Sequence, residues 1–391
     1  MHRRMIGMVL ALCLVLSGCS GWPDGSYVSV KPHADAGLRQ EQTIADVKNY
    51  NQLNAALLNL VEKGSSKLTL SVDQYDRDLL EPELKKAIRN VRTTNPIGAY
   101  AVTDITYEFG VTGGVYALSV SVEYNHNHSR IGKIKHVRNM DAVSLAIKQA
   151  LDSCASDLVI LISGYHNTDY LQLIYDYASK RPSTVMEIPQ VTVNVYPESG
   201  SYRVLELLFS YQNSKENLKS MQSYVQPIME ASTLYISVEE SAIDRYSKLY
   251  TFLMESNQYK LETSLTPAYS LLRHGVGDSR AFAIVYEEMC RKAGLECMTV
   301  SGTREGEQWY WNIVCDDGVY YHLDLIQSHL LGGFALAADG DMNGYVWDYS
   351  AYPACGLQEL PEETQPETQP TEDSAPQNNP DAEYVGDDQG T

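Results

Sequence analysis

The chain has 391 residues and a formal net charge of −20. With 50 acidic side chains against 30 basic ones it offers no basic surface for phosphate, which argues against nucleic acid as a partner. A hydrophobic share of 44% is ample for packed cores, and the roughly 320 residues between two unusual ends correspond to two or three domains.

At the N-terminal end, Arg3 and Arg4 precede an apolar run from Ile6 to Leu16. That run is too short for a permanent span and reads as the core of a cleaved signal peptide. It closes in Leu16-Ser17-Gly18-Cys19, which resembles a bacterial lipobox. The resemblance implies removal of residues 1–18 and acylation of Cys19. The expected location is therefore the cell membrane, lipid-anchored and facing the outside of the cytoplasm. Residues 19–42 read as a linker after the anchor.

Two stretches then match each other about ninety residues apart, over 43–127 and 134–213. LTLSVDQY (Leu68 to Tyr75) matches LVILISGY (Leu158 to Tyr165), AVTDITYE matches QVTVNVYP, and YALSVSVEY matches YRVLELLFSY. Each copy is predicted to run α-β-α-β-β. In the first, Leu53, Leu57, Leu60 and Val61 follow helical spacing, and Gly64 is a natural stop. Leu84, Ile88 and Val91 mark a second helix that ends before Pro96. Leu118, Val120, Val122 and Tyr124 alternate with Ser119, Ser121 and Glu123, the pattern of a strand with one wet face. The copies carry no Gly-rich phosphate loop and read as binding, spacer or support modules. His126, His128 and His136 lie close together in YNHNHSRIGKIKH but read as a polar inter-strand loop. Cys154, Cys290, Cys297, Cys315 and Cys355 include no CxxC pair, so no metal site and no cofactor are expected.

From about residue 231 the pattern changes. Ile243 to Met254 form an amphipathic helix, followed by SLTPAYSLLRHGVGDSRAFAIVYEEMC and then GEQWYWNIVCDDGVYYHLDL. These blocks resemble the transglutaminase-like superfamily, of papain-like fold, and the domain is assigned to 231–356. The resemblance implies helices packed on an antiparallel sheet, giving an α+β chain of two tandem repeats followed by this domain. It also implies a Cys-His-Asp triad, in which a thiol at a helix N-terminus is activated by an imidazole that an acid orients.

Carried over residue by residue, the nucleophile position falls on Ser279, the base position on Trp309 in Trp309-Tyr310-Trp311-Asn312, and the acid on Asp324 in Tyr321-His322-Leu323-Asp324. Two of the three are substituted. Indole cannot accept a proton, and a hydroxyl without a base is a poor nucleophile. Ser279 also reads simply as part of an Asp278-Ser279 helix cap. Cys290 lies eleven residues further along the same helix, about 16 Å along the axis, and cannot substitute. His322 shares a strand face with Asp324, so it is an auxiliary candidate, either as a base for Ser279 or as a packing group. His274 is a more remote one.

From residue 357 to 391 the chain is acidic and rich in Pro, Gln and Thr, with nine acids from Pro361 onward and no Lys or Arg. That composition predicts a disordered tail. The expected function is a surface lipoprotein whose transglutaminase-like domain is non-catalytic and binds peptide, cell wall or a surface protein. The alternative is an acyltransferase or peptidase using Ser279 with His322. A third reading makes the repeats the working part of an assembly protein.

Overall fold

The computed structural model describes residues 44–261 and 263–356. The expected signal peptide, the Cys19 anchor, the linker and the acidic tail lie outside the described residues. The described residues divide into two compact units, 44–134 and 135–356. Among them no helix is long and apolar enough to cross a membrane.

The first unit runs β1 (Ala45–Asp46), α1 (Tyr50–Glu62), β2 (Lys67–Ser71), α2 (Arg77–Thr93), α3 (Pro96–Ala101), β3 (Val102–Thr112), β4 (Val115–Tyr124) and α4 (His128–Ile131). Asn49 caps α1 by accepting from the Gln52 N–H at 3.1 Å. Gly64, at φ +63°, ends it as expected: its N–H reaches Val61 O at 2.9 Å, and the Ser65 N–H reaches Leu60 O at 3.0 Å. Leu53, Leu57, Leu60 and Val61 are all buried. On β4, Leu118, Val120 and Val122 are buried while Ser119, Ser121 and Glu123 face water, so the alternation was read correctly. The sheet order is β1-β2-β4-β3, with β1 parallel to β2 and the other pairs antiparallel.

The second unit opens with β5 (Lys135–Val137), α5 (Met140–Asp152), β6 (Asp157–Ile162), α6 (Tyr170–Ser179), β7 (Gln190–Tyr196) and β8 (Arg203–Ser210). Its sheet has the order β5-β6-β8-β7 and the same pairing senses as the first. In both sheets a short leading strand, β1 or β5, precedes the first expected helix. Two or three residues are too few for alternation to register, so the expected α-β-α-β-β order lacked it. The three histidines do not share one loop either: His128 opens α4 with Nδ1 3.2 Å from Gly64 O, His126 stacks on Tyr100, and His136 lies in β5.

The chain continues as α7 (Lys215–Ala231), α8 (Ala242–Met254), β9 (Gln258–Tyr259), α9 (Pro267–His274), β10 (Val276–Gly277), α10 (Ser279–Lys292), β11 (Cys297–Arg304), β12 (Glu307–Asp316), β13 (Val319–Leu323), α11 (Leu325–Leu330) and β14 (Tyr345–Trp347). The last four strands form an antiparallel sheet in the order β13-β12-β11-β14. Helices pack on this sheet through Tyr246, Leu249 and Leu253 of α8 and Phe282, Val285, Tyr286 and Met289 of α10. Leu218, Val225 and Met229 of α7 join the same core, as do Cys154 and Met186 from the preceding module.

One buried carboxylate fastens that module to α10. Glu288 is 1% exposed and accepts from the Ser183 N–H at 2.8 Å and the Ser183 hydroxyl at 2.7 Å, with Arg291 at 3.3 Å. Glu288→Ala strands a buried N–H and hydroxyl. It should cost roughly 1–3 kcal/mol, and Glu288→Gln, which keeps an acceptor, should cost less; equilibrium urea unfolding of the two variants checks the order.

Candidate functional site

The site begins where β10 enters α10. Asp278 caps the helix, its Oδ1 accepting from the Ala281 N–H at 2.8 Å. Ser279 is therefore the first helical residue rather than the cap, and it is 6% exposed. Its hydroxyl sits at the positive end of the helix dipole, where a thiol would be favoured as thiolate. The backbone N–H of Tyr310 donates to Ser279 Oγ at 3.3 Å. The family's nucleophile position thus faces the family's base strand, β12.

On β12, Trp309 lies across from Gly302 of β11. A Cβ at Gly302 would stand 2.4 Å from Val346 O and 2.8 Å from the Trp311 ring, so only glycine allows the close approach of β14 and the indole here. Trp309 is 8% exposed, and its indole N–H donates to Asp324 Oδ2 at 2.6 Å. The Tyr345 hydroxyl donates to the same oxygen at 2.7 Å. Asp324 Oδ1 accepts from the backbone N–H groups of Ile326 and Gln327, both at 3.0 Å, which caps α11. The three family positions are thus brought to one place: Ser279 touches β12, and Trp309 holds Asp324 where an imidazole would have to be.

His322 points elsewhere. Its Nδ1 faces the Trp311 indole N–H at 2.9 Å, and its Nε2 lies 2.8 Å from Asp339 Oδ1. Indole can only donate, so Nδ1 is the acceptor and Nε2 carries the proton to Asp339. Burial lowers the His322 pKa below its ordinary value of 6.5, and Asp339 opposes that shift. His322 is therefore a neutral core group with both nitrogens engaged. Of the two expected roles, the base is the one that does not fit, since His322 does not face Ser279; its buried setting between Trp311 and Asp339 is that of a packing group. His274 packs edge-on against Tyr269 at 5.2 Å and lines a pocket of about 300 Å³ with Lys260, Ser270 and Gly277.

His322, Asp339 and Cys355 also bring three potential metal-ligating atoms within 4.8 Å of one another. A histidine metal ligand needs its other nitrogen to donate a proton outward. Here Trp311 donates inward to Nδ1, the reverse arrangement, so a metal at Nε2 would leave imidazole with no proton at all. The Cys355 N–H donates to Asp339 Oδ2 at 3.0 Å, and burial pushes its thiol up to about 12, away from the thiolate a metal would need.

The rim of the site is aromatic and carries one cation. Tyr259, 38% exposed, lies with its ring 5.4 Å from Trp309. The Arg304 guanidinium sits 5.7 Å from the ring centres of both Trp309 and Tyr345. Burial, with Asp278 and Asp324 nearby, raises the Tyr259 pKa, so its phenol stays protonated near neutrality. Tyr259, Tyr345 and Arg304 were not among the expected site residues. Tyr345 lies in β14, beyond the sequence blocks that carry the resemblance.

Residues 232–337 match the family model described as the transglutaminase-like superfamily. This stretch is a transglutaminase-like domain. Solved structures with some likeness to the chain include a TGase, at 11% identity over 43% of this chain and 50% of that one, with a TM-score of 0.24. Others are a cysteine protease candidate from Cytophaga hutchinsonii (10% identity, 40% and 70% covered, TM-score 0.24) and a protease candidate from Parabacteroides distasonis (7% identity, 66% and 43% covered, TM-score 0.21). The chain thus spans about half the length of the TGase it matches. No curated protein matches the chain.

The neutral state of His322 in the transglutaminase-like domain has a consequence for pH. Its native pKa lies below the unfolded value of 6.5, so its contribution is complete above pH 6.5. The contribution is lost progressively as pH falls from there through the native value, because only the unfolded chain gains the proton readily. His322→Gln, which removes this titration, should flatten the loss of stability between pH 6.5 and 5. Thermal unfolding of both proteins across that range measures it.

Proposed function

We propose that the transglutaminase-like domain is non-catalytic and serves as a binding module for a peptide, a cell-wall fragment or a protein partner, on a chain held at the membrane surface by lipid on Cys19. One observation carries this reading: the indole of Trp309 donates to Asp324 at 2.6 Å, in the position a general base would need. Indole offers no lone pair for a proton, and the hydroxyl of Ser279 is a weak nucleophile without one. Loss of base and thiolate together removes most nucleophilic catalysis, because triad members act as a unit. The alternative, Ser279 activated by His322, has less support, since both imidazole nitrogens are engaged by Trp311 and Asp339. The rim formed by Tyr259 and Arg304 gives the cleft surface for recognition, as an amphipathic ring and a guanidinium both suit peptide or sugar contact.

Activity measurements separate the two readings. Amine incorporation into a glutamine peptide, and peptide hydrolysis, should stay at background in the wild type and be unchanged by Ser279→Ala. Ser279→Cys alone should add little. Ser279→Cys with Trp309→His should raise the rate by about ten-fold or more, since it restores both proton acceptor and thiol. A wild-type rate abolished by Ser279→Ala would defeat the non-catalytic reading.

The anchor is tested separately. In cells labelled with palmitate, the full chain should take up label and remain with membranes. Cys19→Ala should take up none and be released. A Cys19→Ala protein that stays membrane-bound would overturn the lipid anchor.

A further inference from the structure

Five cysteines lie among the described residues, all as free thiols, and two of them flank the corner that joins α10 to β11. Cys290 is fully buried near the C-terminus of α10, and Cys297 is the first residue of β11. The turn between them is tightly closed. The Leu295 N–H donates to Cys290 O at 2.9 Å, and the Gly294 N–H donates to Arg291 O at 3.2 Å.

The sheet register decides where Cys297 points. It pairs with Val314 of β12, and directly paired residues share a face. Asn312, two residues before Val314, shares that face too. Its amide donates to Ala283 O of α10 at 3.0 Å, and the Thr299 N–H donates to Glu287 of the same helix at 3.0 Å. This is the α10 side of the sheet, toward which Cys290 is buried. Cys315, next to Val314, lies on the other face. Cys290 belongs to the buried core, and Cys297 packs against that same core from the sheet side.

We propose that Cys290 and Cys297 form a disulfide that staples α10, the helix carrying Ser279, to the first strand of the C-terminal sheet. The step needs a disulfide-bearing oxidant, either a low-molecular-weight disulfide or a thiol-oxidising protein outside the cytoplasm. The thiolate of Cys297 attacks the oxidant's S–S bond and expels one thiolate. The thiolate of Cys290 then attacks the mixed disulfide and expels the second. The two protons from the cysteines end on the two thiols of the reduced oxidant. Burial raises the Cys297 thiol well above its ordinary pKa, so the folded dithiol is a poor nucleophile. Oxidation therefore accompanies folding, and the bond is a structural staple rather than a switch. This goes beyond the binding function but rests on the proposed export of the chain, which palmitate uptake and membrane retention test separately from the disulfide mapping.

Trypsin makes the test direct, because Arg291 and Lys292 lie between the two cysteines. The full chain, isolated from membranes and alkylated under denaturing conditions without reductant, is digested and analysed by mass spectrometry. The expected result is peptide 281–291 linked to peptide 293–304, released by reductant. Reductant should also lower the Tm of the wild type by roughly 5 °C and leave that of Cys297→Ala unchanged. Alkylated Cys290 and Cys297 in the unreduced digest, or either cysteine linked to Cys315, would overturn the proposal.

Discussion

The carboxylate of Asp324 is the point on which the geometry of the transglutaminase-like domain turns. It is 8% exposed, and four donors meet its two oxygens: the Trp309 indole, the Tyr345 hydroxyl and two backbone N–H groups at the start of α11. Buried away from water, its lone pairs must be met within the protein, and here they are. The donors come from β12, β14 and α11, so one acid ties three elements together. In a working triad the same acid would hold an imidazole and stabilise its charge. An indole supplies the same kind of hydrogen bond and no proton exchange. On the proposed non-catalytic reading, the interaction keeps the structural half of the triad's acid contact and lacks its catalytic half.

A second polar chain runs beside the first and has the same logic. Trp311 donates to His322, His322 donates to Asp339, and the other oxygen of Asp339 accepts from the backbone N–H of Cys355. The direction of every proton follows from the first member, since indole only donates. The chain links the centre of the sheet to the 339–355 stretch, which returns to close the domain. His322 also exchanges backbone hydrogen bonds with Ala337 at 2.9 Å in both directions. Two tryptophans two residues apart on β12 thus use their N–H groups on two different acceptors, and each acceptor anchors a different piece of the C-terminal stretch. Gly302 is what lets β14 lie close enough to take part.

Much of this was legible in the sequence because it rests on local rules. The helix of Leu53, Leu57, Leu60 and Val61 with its Gly64 stop, the alternation around Leu118 and the Asp278 cap are set by residues within a turn or two of each other. The family resemblance over this region was readable because its motifs lie in order along the chain. What was missed depends on approach in space. His322 shares a strand face with Asp324 in sequence, yet β12 delivers Trp311 against one nitrogen and a distant loop delivers Asp339 against the other. Tyr345 reaches Asp324 from 21 positions away. Helix α7 lay between assigned segments, and only packing with α8, α9 and α10 reveals that its Leu218, Val225 and Met229 belong to the C-terminal core. The leading strands β1 and β5 gain their identity from partners and not from pattern.

The substitution at position 309 also constrains what the cleft can hold. A catalytic imidazole leaves room for a scissile amide between itself and the nucleophile. The larger indole is 8% exposed, packed against Tyr259 on one side with Arg304 above it. On the proposed binding reading, a ligand would contact Tyr259 and Arg304 beside the Trp309 ring. Rim contacts of this kind read shape, ring faces and charge, and demand no strained geometry at a reacting bond. On the proposed non-catalytic reading, the side chain at position 309 both stands where the base would be and, with Tyr259 and Arg304, forms the rim a ligand would contact.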